Sequence, residues 1–157
     1  ISAVDSMLKR YPRVKSITKL IKEHMLVEVL SKNEIQSIAN RVLPQIVETL
    51  GPTRKGIPNI EIHNNVLALH SKIPNHPSSA DMGGENEHAE YNWKTNTIYL
   101  FKVALVNEEL VIRALLHEYT HATQDEKKVM AARAKGYANN PYEKAAERSE
   151  RNWKDYL

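Results

Sequence analysis

The chain has 157 residues, enough for one domain, with 41% hydrophobic residues and a formal net charge of +3. No run approaches the roughly 18 apolar residues of a membrane-spanning helix, and zero cysteine excludes disulfides and thiolate ligands. The positive charge is dispersed and densest around Lys127, Lys128, Arg133 and Lys135. It reads as a solvated helix face in preference to a nucleic-acid surface.

The absence of cysteine fits a reducing compartment, so a cytoplasmic location is expected. Lys9, Arg10, Arg13 and Lys15 are followed by broken, amphipathic sequence, which does not read as a signal peptide. The chain begins at Ile1 and not at Met, which reads as a processed product or an excised piece.

In chain order, residues 1–56 read as a helical part. Ile17, Leu20, Ile21, His24 and Met25 keep helical spacing. Ser31 offers a helix cap, with Glu34 three residues later in capping-box position. Ile35, Ile38, Ala39, Val42, Ile46 and Leu50 continue the stripe, with Pro44 a potential kink and Gly51-Pro52 an end. These helices carry no chemistry of their own, and packing is their expected role.

Residues 57–157 change character. Asn59-Ile60-Glu61-Ile62-His63-Asn64 alternates as a half-buried strand does, and Val66 to Ile73 is expected to form a second strand. Residues 74–90 read as a long loop holding His76 and His88, each expected to be an ordinary loop histidine. Tyr91-Asn92-Trp93, a turn at Lys94-Thr95-Asn96 and Thr97-Ile98-Tyr99-Leu100-Phe101 predict a β-hairpin.

Next comes His117-Glu118-Tyr119-Thr120-His121, which spells H-E-x-x-H. Asn107 is positioned as a cap with Glu108 and Glu109 behind it, where negative charge suits the helix dipole. Leu110, Ala114, His117 and His121 then form one helical stripe that turns from aliphatic to imidazole. Two histidines four apart lie on one helix face and can grip one Zn2+ ion. Glu118, offset by about 100° from His117, flanks such an ion and can take a proton from bound water.

Catalytic zinc usually takes three protein ligands, and without cysteine the third must be His, Asp or Glu. Asn140 reads as a cap and Pro141 as a first helical residue of a second helix running towards Trp153 and Tyr156. Glu143 and Glu147 share a face of that helix, and Glu143 also sits where a capping-box glutamate would.

These two helices together resemble the gluzincin branch of zincin metallopeptidases, over the stretch from His117 to Tyr156. The resemblance implies Glu143 as zinc ligand and Glu147 as the partner that orients His117. The chain departs from the commonest pattern by carrying Glu and not Asp at the second acidic position, which leaves these two roles exchangeable. It also implies a substrate edge, placed here in the 91–101 hairpin, that pairs with an extended peptide.

The expected fold is therefore α+β, one domain over residues 1–157. N-terminal helices would pack on a small antiparallel sheet, with the two zinc-bearing helices beneath it. The expected activity is peptide-bond hydrolysis by a zinc-activated water with Glu118 as general base, and the expected partner is a protein or peptide substrate. Tyr137, Tyr142, His88 and Tyr91 are the candidate donors for the oxyanion. The competing expectation is a non-catalytic binding or structural module whose metal is a fold-stabilising clip or absent. A DNA-associated protease is a third, weakened because no histidine follows His121.

Overall fold

The computed structural model describes residues 30–72, 87–136 and 140–157. The helical stripe expected around Ile17 to Met25, the histidine at 76 and the tyrosine at 137 lie outside the described residues.

Helix α1 spans Lys32–Leu50. Ser31 and Glu34 close a reciprocal capping box, each side chain meeting the other's backbone N–H. Ile35, Ala39, Val42, Leu43 and Ile46 form its buried stripe. Pro44 does not interrupt the helix. It lies on the exposed face, where the carbonyl that loses its intrahelical donor can be met by water.

Strand β1 covers Asn59–His63, helix α2 Val66–Lys72, strand β2 Ala89–Asn92 and strand β3 Thr97–Phe101. The stretch from Val66 is thus a helix and not the expected strand. Asn65 decides this locally: its side-chain oxygen accepts from the Ala68 N–H at 2.8 Å, as a helix cap does. Val66 and Leu69, three apart, then become the buried face.

The sheet order is β1-β3-β2, with β2 antiparallel to β3 but β1 parallel to it. The sheet is therefore mixed, not antiparallel as expected. With α2 replacing a strand, the meander that would have made every neighbour antiparallel is lost. The expected hairpin is present as β2 and β3 around residues 93–96. Asn96 takes the left-handed conformation in that turn, at φ 49°, and its side chain accepts from the Tyr91 hydroxyl at 2.6 Å.

Helix α3 (Glu108–Thr123) is capped by Asn107, whose side chain accepts from Leu110 N–H at 3.0 Å. Helix α4 covers Glu126–Ala134, and α5 covers Pro141–Ser149 before the chain tightens into a 3-10 helix over Glu150–Tyr156. β3 is the central strand and is buried along its whole length. Its alternate side chains divide two cores. Ile98 and Leu100 join α1 and α3 in the main one, whereas Tyr99 and Phe101 meet Val66 and Leu69 of α2. The class is α+β, as expected. No helix among the described residues is long and apolar enough to cross a membrane.

Helix α3 is held by Val111, Ile112, Leu115 and Leu116, all fully or almost fully buried, and by the Tyr119 hydroxyl, which donates to Gly51 O at 2.5 Å. Leu115→Ala is expected to lower unfolding free energy by about 2–5 kcal/mol, because little can collapse into the void. Met130→Ala on exposed α4 is expected to change it by under about 0.5 kcal/mol. Urea unfolding followed by circular dichroism measures both.

Candidate metal centre

The buried stripe of α3 begins at Val111 and carries the motif to the end of the helix, where His117 is half-buried and Glu118 and His121 are buried. Asn140 starts α5 by accepting from the N–H groups of Tyr142 at 3.0 Å and Glu143 at 3.3 Å. Pro141 follows as the first helical residue. Together they fix where Glu143 leaves the backbone. Its carboxylate does not close a capping box; it turns to the histidines.

One oxygen of that carboxylate meets both rings. Glu143 Oε1 lies 2.8 Å from His117 Nε2 and 3.3 Å from His121 Nε2. The imidazoles are 5.0 Å apart, centroid to centroid, and nearly edge-on. The separations approach the tetrahedral edge of about 3.3 Å that zinc sets when its ligands lie about 2.0–2.1 Å away.

The outer nitrogens of both rings are also engaged. His121 Nδ1 is 2.8 Å from Gln124 Oε1, while Gln124 Nε2 donates to Tyr142 O at 3.0 Å. The second bond orients the amide, so its oxygen must accept and His121 must donate from Nδ1. In the neutral ring Nε2 then carries a lone pair, facing a carboxylate oxygen. Two acceptors in that arrangement call for a cation between them, a proton or a metal.

His117 Nδ1 lies 2.8 Å from Glu150 Oε2. Burial works against the charged ring, but the hydrogen bonds to Glu143 and Glu150 prevail and push its pKa up to about 10. For Glu143 burial favours the neutral acid. The hydrogen bonds from His117 and His121 outweigh it and hold the carboxyl well below the usual range.

Glu118 is 6% exposed and its Oε2 has no hydrogen-bond partner. Burial raises its pKa, the two histidines oppose that rise, and Glu143 adds to it. The His117, Glu118 and His121 donor atoms lie within 4.8 Å of one another and could hold a metal ion.

Trp93 from the hairpin turn packs beside His121, its ring centroid 6.0 Å from that of the imidazole. The Arg133 guanidinium of α4 lies 5.5 Å over Trp93 and 3.8 Å from Glu143 Oε2. Glu87 completes the surroundings. Burial, followed by the nearby Glu90 and Glu118, pushes its carboxyl up to about 8, with Arg133 opposing.

The structure thus brings His117, Glu118, His121 and Glu143 together. Glu147 is not the residue at His117 Nδ1; it is exposed, and Glu150 takes that place. The reason is helical phase: seven residues span almost two whole turns, so Glu150 returns closer to the Glu143 direction than Glu147 does. That spacing was a usable signal, as was Gln124 three residues after His121. Trp93, Arg133 and Glu87 had none, since they arrive from distant elements. Among the candidate oxyanion donors, Tyr91 spends its hydroxyl on Asn96, His88 is exposed and Tyr142 packs against the core.

Comparison with protein-family models, curated proteins and solved structures finds no match for this chain. The functional reading therefore stands on the geometry.

Outer partners of metal-binding histidines typically change affinity by about 10–100-fold. Gln124→Ala and Glu150→Ala are each expected to weaken Zn2+ binding by that factor, while Glu147→Ala leaves it unchanged. Competition with a chromophoric chelator measures all three.

Proposed function

We propose that the chain is a zinc-dependent metallopeptidase whose ion is held by His117, His121 and Glu143. The observation that carries this reading is the convergence of both Nε2 atoms on Glu143 Oε1 while both Nδ1 atoms are tied to outer oxygens. A bound zinc ion supplies a more acidic water and polarises the substrate carbonyl.

The chain's own residues do the rest. Gln124 holds His121 in the tautomer that leaves Nε2 as a ligand, and Glu150 does the same for His117 once the ring's second proton is lost. Glu118 stands beside the histidines with an unspent oxygen in a buried setting. Its raised pKa suits a base that must accept a proton from water and release it to the leaving amine. Trp93 packs beside His121, their ring centroids 6.0 Å apart.

An extended protein or peptide substrate would pair with β2, which lies at the sheet edge and packs on α3. The competing reading, a structural metal clip in a binding module, does not account for Glu118. A structural site has no use for a buried carboxylate with an unpartnered oxygen, because such a group is destabilising unless it has work to do.

Elemental mass spectrometry of the purified chain is expected to find about one zinc per chain, lost from His117→Ala and Glu143→Ala. Glu118→Gln is expected to keep the metal but lose hydrolysis of a quenched fluorescent peptide library by about 10²–10⁴-fold. A zinc-free wild type after reconstitution, or a Glu118→Gln variant as active as wild type, overturns the proposal.

A further inference from the structure

Among the donors that the sequence offers for a developing oxyanion, the Tyr91 hydroxyl is spent on Asn96 and His88 is exposed, whereas Arg133 stands 3.8 Å from Glu143. It comes from α4, an element with one buried residue and no other link to the chemistry. Its side chain is about one-third exposed. Its guanidinium lies over the Trp93 ring, a contact that restrains the plane of the group without consuming any N–H. Its nearest carboxylate atom is Glu143 Oε2 at 3.8 Å, which is attraction at a distance and not a hydrogen bond. Among the described residues the guanidinium therefore has donors to spare.

Placement gives those donors a purpose. Glu143 Oε1 faces the histidines, and Arg133 approaches the other oxygen of the same carboxylate. A positive group that never deprotonates thus stands one carboxylate away from the converging Nε2 atoms. The same guanidinium is close enough to lower the pKa of Glu87 and of Glu118.

We propose that Arg133 is an anion-receiving residue of the substrate site, its clamped guanidinium taking a negatively charged substrate oxygen beside the centre. This rests on the metallopeptidase reading. Two sources share that chemistry. One is the scissile carbonyl oxygen: as water adds to the carbonyl carbon, the π pair moves onto oxygen and the water proton passes to Glu118. The other is the C-terminal carboxylate of a peptide.

The test uses zinc-loaded full chain and three probes: inorganic phosphate, acetate and neutral imidazole, each followed by calorimetry. Arg133→Met is expected to weaken phosphate binding about tenfold or more, the usual scale of a charge-assisted hydrogen bond, and to leave imidazole binding unchanged. Arg133→Lys is expected to recover part of the loss. Acetate weakening with phosphate assigns a carboxylate-bearing substrate end; phosphate weakening alone assigns the tetrahedral oxyanion. Unchanged phosphate binding in a zinc-loaded Arg133→Met overturns the inference and leaves the peptidase reading standing. Loss of zinc itself from Arg133→Met also overturns it and makes Arg133 a residue that positions Glu143. A wild type that takes up no zinc overturns both readings.

Discussion

The contact of one Glu143 oxygen with two imidazole nitrogens is the constraint on which the site depends. It ties α5 to the end of α3, and it sets the buried charge that every neighbouring group must answer. A carboxylate this enclosed is destabilising unless it is paired. Here the pairing comes from both rings, with Arg133 facing the second oxygen. The rings in turn need their outer nitrogens satisfied, which Glu150 and Gln124 do. Removing any one of these groups leaves another buried charge or donor exposed to the low dielectric.

The fold serves this cluster by making its supports rigid. α3 carries His117, Glu118 and His121 at its end, and its earlier turns are sunk in the main core with α1 and β3. Asn140 fixes the first turn of α5 through two N–H groups, so Glu143 departs from a defined point. The hairpin contributes Trp93 from its turn, which is anchored by Asn96 to the backbone carbonyl of Lys55. Side chains held on helices and a buttressed turn lose little further freedom when they bind something, which is the condition for a preorganised centre.

The site also joins opposite electrostatic demands in a small volume. Glu143 is held as a carboxylate by its ring partners, whereas Glu118, whose Oε2 has no hydrogen-bond partner, is pushed towards the neutral acid by burial. Two carboxyl groups with environments that separate their pKa values can take different roles, one as a fixed charge and one as a proton carrier. Arg133 and Trp93 add a fixed positive charge at the rim, and Glu87 adds an acid whose protonation follows its burial.

The chain's local chemistry determined much of this by itself. Capping side chains and periodicity are short-range effects, so Ser31, Asn107, Asn140 and Pro141 mark helix starts that the structure keeps. The spacing within His117 to His121 likewise puts both rings on one face of a helix wherever that helix sits. Glu143 was legible as a partner because a capped helix begins just before it. Tertiary structure decided the rest. Val66 to Lys72 is a helix because the Asn65 cap and packing against β3 outweigh an ambiguous apolar run, and that choice is tied to the parallel pairing of β1 with β3. The seven-residue spacing puts Glu150 near the Glu143 direction, but that it meets His117 Nδ1 is set by how α5 and the 3-10 helix after it pack on α3. Trp93, Glu87 and Arg133 reach the centre from a turn, a strand approach and a separate helix. Their proximity is set by how the layers pack, and spacing along the chain holds no record of it.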